Sequence, residues 1–155
     1  MLSEDNINEI KKVVKEFFQK TSFEIDLQVL PLQEKTIPIE IKTPEPKILI
    51  GQNGQTLAEI QRLLKAVLRR QILEDFYIDI DVNDYKKKKI EYLKETAKDL
   101  ADEVAISGRE RVLPPMSSYE RRIIHLTLAE RKDIVVQSTG QEPDRRITIK
   151  PVFYS

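Results

Sequence analysis

The sequence predicts an α+β fold made of two small domains, residues 1–83 and 84–155. Stretches with apolar residues at helical spacing are interspersed with short stretches in which apolar and polar residues alternate at period two. The chain contains two such sets of helical and strand stretches, one after the other. A length of 155 residues suffices for one ordinary domain or for two small ones that each bury a core.

The first domain is expected to place its helices on one face of a three-stranded sheet. Its first helix should begin after the N-cap Ser3 and end near Lys20. Pro38 lies in the second of three alternating stretches, and because it lacks an N–H it predicts a sheet edge or a bulge there. The alternating stretches are residues 23–29, 36–42 and 76–82.

A glycine turn between two helices is the feature around which the first domain is organised. Residues 47–50 allow about one helical turn, and Gly51 and Gly54 supply the turn itself. An amphipathic helix follows to about Glu74. Thr56, with a glutamate three residues later, predicts a capping box for that helix.

The second domain is expected to contain two helices and two short strands. A long helix runs from about residue 84 to Ser107, and a capping box formed by Ser117 and Glu120 starts another. The basic run 86–89 in the first turn of the long helix is interpreted as a solvated face, with a phosphate-facing patch as the alternative. The shorter helix should end at Glu130, and the strands lie at 134–136 and 146–150.

Composition excludes several classes of function. The 26 basic and 26 acidic residues balance, but residues 108–155 carry 9 basic and 6 acidic side chains against 11 and 14 in residues 1–83. Seven of those nine are arginines, which suit bidentate phosphate contacts. With no cysteine and one histidine, no disulfide, metal site or cofactor is expected. No stretch approaches the ~18 apolar residues of a membrane span and no signal peptide is recognisable, so we expect a cytoplasmic protein.

The glycine turn is a candidate phosphate site, because bare backbone N–H groups lead into a helix N-terminus. The stretch Ile50-Gly51-x-x-Gly54-x-Thr56-Leu57-x-x-Ile60-Gln61-x-Leu63-Leu64 resembles the core of a K-homology (KH) domain, and the α-β-β-α-α-β order over residues 1–83 resembles its type II topology. The resemblance implies a loop that clamps about four nucleotides of single-stranded RNA or DNA. The family often has lysine or arginine between the glycines, where this chain has neutral residues, and a structural or dimerising loop is the alternative. The predicted contacts are Gly51, Gln52, Asn53, Gly54, Gln55 and Thr56, with Ile48, Ile50, Leu57 and Ile60 lining a groove for bases.

Arg121 and His125 are four residues apart, so they share one face of a helix, where both could donate to phosphate oxygens. Such a pair alone is usually surface decoration. The surrounding residues 113–126 closely resemble the signature of the R-3-H domain, named for this arginine–histidine spacing, and residues 138–146 resemble its strand-connecting segment. The resemblance covers about residues 84–155 and implies a single-stranded nucleic-acid-binding domain with a small sheet packed on helices.

A type II KH domain followed directly by an R-3-H domain resembles the Jag family, also called KhpB or EloR. The resemblance implies a non-catalytic bacterial RNA-binding regulator that acts after transcription and influences cell elongation, division and shape. It also implies pairing with a small single-KH-domain protein or self-association through the KH domain. The usual family architecture adds an N-terminal Jag domain and a linker, so we expect this chain to be a truncated or a short member.

The second candidate site is a basic surface on the R-3-H domain. Arg145 has a salt bridge to Glu142 or Asp144 as its alternative role. His125 has the alternative of a partly buried residue that positions Arg121. The predicted members of the surface are Arg121, His125, Arg145, Arg109 and Arg111.

Three functions are compatible with these features to different degrees. The leading one is binding of single-stranded RNA, or single-stranded DNA, in which the glycine loop holds the backbone and the arginine–histidine face adds salt-sensitive phosphate contacts. The alternative is a protein–protein scaffold that dimerises through the KH domain, with incidental RNA contact. A hydrolase or nuclease is disfavoured, because no acid/base or nucleophile constellation accompanies the one histidine.

Tyr119, beside the second cap, is interpreted as a packing residue rather than a base-stacking platform.

Overall fold

The computed structural model describes residues 2–153, and the chain divides into two compact units, Met1–Lys86 and Lys87–Ser155. Each unit combines helices with a three-stranded sheet, which confirms the predicted α+β class. The elements are α1 (Glu4–Gln19), β1 (Asp26–Val29), β2 (Thr36–Lys42), α2 (Pro46–Ile50), α3 (Gln55–Leu68), β3 (Tyr77–Val82), α4 (Tyr85–Ser107), β4 (Arg111–Val112), α5 (Ser118–Leu128), β5 (Ile134–Thr139) and β6 (Arg146–Pro151).

The first unit follows the predicted element order, with strands arranged β1-β2-β3. The predicted cap of α1 is confirmed, since the Ser3 hydroxyl accepts the Asn6 N–H at 3.1 Å. β2 pairs antiparallel with β1 and parallel with β3. Alternate strand residues and the apolar stripes of α1 and α3 form one core, which includes Ile10, Val14, Phe18, Ile37, Ile39, Ile41, Leu64, Leu68, Ile78 and Ile80.

Pro38 lies in the central strand, so its predicted placement at a sheet edge is wrong. The sheet tolerates it because β1 ends at Val29, which pairs with Ile39. Beyond that pair, the Leu30 N–H donates to the Pro38 carbonyl at 2.9 Å. The return hydrogen bond that proline cannot make would therefore fall past the last residue of β1, where the ladder has already ended.

The helix after the glycine turn also differs from its prediction at both ends. α3 begins at Gln55 with Gly54 as its N-cap, and that cap has no side-chain hydrogen bond, so the capping box at Thr56 is wrong. At the other end, α3 stops at Leu68 instead of near Glu74. Backbone hydrogen bonds between residues three apart follow the end of α3. The chain turns there, so that the Ile72 side chain lies in the core.

The second unit contains a three-stranded sheet in the order β4-β6-β5, with all pairs antiparallel. β4 was not predicted, because two residues are too few to show a periodic pattern. The guanidinium of Arg131 connects α4 to the start of β5 through hydrogen bonds to Asp102 and Asp133. The core of this unit comprises Ala97, Ala101, Val104, Leu113, Ile124, Leu128, Ile134, Ile147 and Ile149.

The capping box of α5 is confirmed and is extended by an ion pair. The Ser117 hydroxyl accepts the Glu120 N–H, and the Glu120 carboxylate accepts the Ser117 N–H at 2.8 Å. The same carboxylate lies 2.7 Å from the ammonium of Lys89 on α4. Burial favours the protonated acid, but the bonds from Lys89 and Ser117 outweigh it and hold the pKa of Glu120 below its ordinary 4.5.

Replacing Glu120→Gln should remove a pH-dependent part of the stability of the second unit. Because the pKa of Glu120 is lower in the folded than in the unfolded chain, its stabilisation is complete above the unfolded pKa and is lost as the pH falls through the folded pKa. Urea denaturation from neutral pH down to about pH 3 would measure this. The stability difference between wild type and variant should shrink on acidification, and a difference that stays constant would contradict the assignment.

Candidate nucleic-acid interface

The glycine loop between α2 and α3 has a backbone path that requires glycine at both ends. Gly51 has φ 72° and ψ −174°, a region open essentially to glycine alone, and a Cβ there would overlap the Thr56 hydroxyl. Gly54 and Asn53 are left-handed, with φ of 77° and 54°. The sequence predicted a tight turn at the two glycines, and their backbone angles explain why glycine is needed at both positions.

Four of the six predicted loop contacts expose their side chains: Gln52, Asn53, Gln55 and Thr56. The Gly51 and Gly54 amides donate to the carbonyls of Lys47 and Gly51, at 2.9 and 3.4 Å. Among the described residues, the amides of Gln52 and Asn53 have no acceptor. Two main-chain donors at an exposed tip are therefore available to an anion.

The predicted apolar groove is only partly present at the surface. Ile48 is 53% exposed, and Ile50 and Ile60 are half-buried and pack against the core. Leu57 is 2% exposed and belongs to the core, so its assignment as a groove residue is corrected. It points inward because it lies on the same face of α3 as the buried Leu64.

Tyr85, which sequence reasoning missed, packs against the loop from inside the first unit. A Cβ at Gly54 would lie 3.0 Å from the Tyr85 ring carbon Cε1 and 3.3 Å from its hydroxyl oxygen. The neighbouring Lys86 donates to Asp79 at 2.5 Å and to Gln61 at 3.1 Å. Lys86 therefore faces its own unit, which disfavours a phosphate patch at this end of the run 86–89. The Tyr85 contact joins residues far apart in sequence, and no local pattern signals it.

Arg121 is a buried residue, at 7% exposure, and points into the second unit. Its Nη1 donates to the Met116 carbonyl at 2.7 Å, and its Nη2 donates to Glu142 at 2.8 Å. These bonds attach α5 to the residue before its cap and to the segment between β5 and β6. In this arrangement the guanidinium does not face solvent, contrary to the expectation of an exposed phosphate contact.

His125 is half-buried, and its Nε2 lies 3.0 Å from the Ser138 hydroxyl on β5. It thus connects α5 to the sheet, and neither of the two hydrogen bonds of the Arg121 guanidinium involves it. The alternative role of a partly buried hydrogen-bonding residue describes its surroundings, but its partner is Ser138 instead of Arg121. Arg121 and His125 therefore hold three segments to one helix: the residue before its cap, the β5–β6 connection and β5.

The other predicted arginines have different environments. Arg145 donates to the Gly140 carbonyl at 2.6 Å, so neither expected salt bridge forms, and Glu142 pairs with Arg121. Arg111 is exposed but pairs with Glu103 on α4. Arg109 is exposed, and its side chain has no partner among the described residues.

Two exposed residues of α5 were not recognised as candidates. Tyr119 is 62% exposed, so its interpretation as a packing residue is wrong. Arg122 is exposed and has no side-chain partner within residues 2–153. The helical spacing of the buried Arg121, Ile124 and Leu128 is the signal that could have placed both on the opposite face.

Comparison with known proteins agrees with this architecture in the second unit. Residues 91–151 match the R-3-H domain family. The second unit contains an R-3-H domain. Over 116 residues, the chain is 36% identical to the RNA-binding protein KhpB of Clostridium symbiosum, an alignment that covers 75% of this chain and 52% of the relative.

Two further relatives carry the same name. KhpB of Streptococcus pneumoniae serotype 2 is 35% identical over 115 residues, covering 74% of this chain and 35% of the relative. KhpB of Bacillus subtilis is 33% identical over 118 residues, covering 75% and 57%. The three relatives are similar to this chain over about three quarters of its length. The chain spans from about a third to just over half the length of these curated relatives.

Two features are absent from the part of the chain that the structure describes. No helix there is long and apolar enough to cross a membrane. No group of three or more histidine, cysteine, aspartate or glutamate side chains in residues 2–153 is arranged to hold a metal ion.

Adjacent arginines of the R-3-H domain should differ in their effect on stability. Arg121→Ala leaves the Met116 carbonyl without its donor and should lower the free energy of unfolding by about 1–3 kcal/mol. The ion pair with Glu142 adds little, since that carboxylate is largely exposed. Arg122→Ala, its matched control, should change stability by less than about 0.5 kcal/mol. Equal urea midpoints for the two variants would contradict the structural role of Arg121.

Proposed function

We propose that this protein binds single-stranded RNA through two surfaces, the glycine loop of a type II KH domain formed by the first unit and the R-3-H domain of the second. The exposed loop tip, where the Gln52 and Asn53 amides have no acceptor within the described residues, carries the first half of this proposal. The R-3-H match and the relatives named RNA-binding protein KhpB support the second.

In the first unit, recognition of the backbone relies on main-chain donors. A phosphate at the loop tip would accept from the Gln52 and Asn53 amides, and the dipole of α3 adds favourable potential. Ile48 offers an apolar surface to an unstacked base. Because the loop carries no charge of its own, its phosphate contacts depend on geometry more than on ion pairing.

In the second unit, the exposed Arg109 and Arg122 and the half-buried Arg145, none of which has a carboxylate partner among the described residues, supply the salt-sensitive share of binding. Arg109 and Arg122 have no side-chain partner in the described chain, and Arg145 is bonded only to a carbonyl. Two weak sites on one chain raise the local concentration of RNA at the second site once the first is occupied. The proposed role is that of a non-catalytic regulator of RNA in the bacterial cytoplasm, linked by family resemblance to cell elongation and division.

Charge placed at the loop tip should weaken RNA binding. The double variant Gln52→Asp/Asn53→Asp should reduce affinity for a single-stranded RNA by roughly tenfold or more, because like charges would face the phosphates. Aspartate tolerates the left-handed backbone at position 53 as asparagine does, so the loop should keep its shape. Fluorescence anisotropy with the full chain measures the affinity.

The matched control is Asn8→Asp/Gln71→Asp, which adds the same two charges at exposed positions of the first unit away from the loop. The control should bind as wild type does. If both double variants lose affinity equally, the loop is not the binding site, and if neither does, the KH half of the proposal fails. A DNA oligonucleotide of the same sequence would show whether the 2′-hydroxyl contributes.

A protein–protein scaffold remains the second candidate function, favoured by the surface of α3. Leu63 and Val67 are four residues apart on α3 and are 51% and 39% exposed. Such an apolar stripe suits a second copy or a small single-KH-domain partner. Light scattering of wild type and of Leu63→Ser/Val67→Ser, with and without RNA, separates the functions. A dimer that the variant loses and RNA does not affect would support the scaffold, whereas a monomer in all conditions would contradict it.

A further inference from the structure

We propose that the R-3-H domain contacts single-stranded RNA with the outer face of α5, formed by Tyr119, Arg122 and Leu126, instead of with its name-giving arginine and histidine. This inference rests on the RNA-binding function proposed above and assigns the surface that carries it in the second unit.

The first step is that Arg121 and His125 are already engaged within the domain. For Arg121 to reach a phosphate, its bonds to the Met116 carbonyl and to Glu142 would have to break, and the carbonyl would lose its charged donor. The Nε2 of His125 is likewise engaged with Ser138, and the ring is half-buried. Both residues therefore connect parts of the domain, and the exposed side chains of α5 are more accessible to a ligand.

The second step is the chemistry of the opposite face. Tyr119 and Arg122 are three residues apart, and Arg122 and Leu126 are four, so the three side chains share one face of the helix. Tyr119 is 62% and Leu126 is 67% exposed, while Ile124 and Leu128 on the other side are buried. A large ring, a planar cation and an aliphatic side chain in one row provide for base stacking and phosphate pairing together.

The third step is charge, which favours a polyanion as the occupant. Arg122 has no carboxylate partner in residues 2–153, and Glu120, the acidic residue near it in sequence, is occupied by Lys89. The main chain of Arg145 lies near the start of α5, since its carbonyl accepts the Met116 N–H at 3.2 Å, and its guanidinium is bonded to the Gly140 carbonyl instead of to a carboxylate. The outer face of α5 therefore carries the uncompensated positive charge of Arg122.

The test compares two double variants of the full chain by anisotropy with single-stranded RNA. Tyr119→Ala/Arg122→Ala removes an exposed ring and cation from α5. The control Tyr92→Ala/Lys98→Ala removes an exposed ring and cation from α4. The first should lose about tenfold or more in affinity while the control does not. Both should keep the wild-type circular dichroism spectrum and melting temperature, because all four side chains are exposed.

The single variants separate the two contributions by their salt dependence. Arg122→Ala should reduce the slope of log affinity against log salt by about 0.7, the value for one phosphate contact on a single strand. Tyr119→Ala should lower affinity and leave the slope unchanged. Ultraviolet crosslinking of wild type to RNA, followed by peptide mapping, should place a crosslink within residues 118–126.

The outcomes distinguish this inference from the function on which it rests. If wild type binds RNA and only the glycine-loop variant weakens binding, the outer face of α5 is not an RNA surface and the inference is overturned. If wild type does not bind RNA at all, the proposed function fails first. If the α5 variant keeps RNA affinity but loses a protein complex, the face docks a protein and the inference is again overturned.

Discussion

In the R-3-H domain, the guanidinium of Arg121 lies between the residue that precedes the α5 cap and the segment that joins β5 to β6. A buried charge is tolerated only where hydrogen bonds or opposite charge compensate it, and here both are supplied. Arg121 lies on the same face of α5 as the buried Ile124 and Leu128, and His125 adds a third connection to Ser138. Tyr119 and Arg122 lie on the exposed face of the helix.

In the first unit, the backbone conformation of the glycine loop is the corresponding constraint. Gly51 and Gly54 adopt backbone angles that side chains disfavour, and the Tyr85 ring occupies the space that a Cβ at Gly54 would need. The loop is thereby held in a conformation in which two amides at its tip have no acceptor within the described chain. The exposed chemistry of the two units differs. The loop tip presents uncharged main-chain donors, and α5 of the second unit presents the guanidinium of Arg122.

Local patterns predicted those parts of the molecule that local interactions determine. The Ser3 cap, the Ser117/Glu120 capping box and the alternation of β3 each depend on residues a few positions apart, and all three were predicted. The glycine loop was also recognisable, because two glycines three apart directly before an amphipathic helix are typical of a tight turn. The sequence thus sufficed for the α+β class and for the position of the glycine turn between two helices.

The errors concern contacts between residues far apart in sequence. Pro38 is acceptable in a central strand only because β1 ends beside it, and strand order is not visible in the alternation of β2. The sequence indicated that Arg121 is available to a phosphate, because its partner Glu142 lies 21 residues away in sequence. The two side chains come together only in the folded chain. Tyr85 was missed for the same reason. The helical spacing of the buried residues in α5 predicts that Tyr119 faces away from the core. The R-3-H motif instead indicated Arg121 and His125 as the candidate residues.

The most direct test of RNA recognition by these two surfaces is a titration of the isotope-labelled full chain with a short single-stranded RNA, followed by nuclear magnetic resonance. RNA binding at these surfaces should give the largest shifts at the Gln52 and Asn53 amides and at the Arg122 side-chain Nε–H, with the Arg121 Nε–H nearly unchanged. Large shifts at Arg121 and His125, with the loop amides and Arg122 unmoved at saturating RNA, would contradict it.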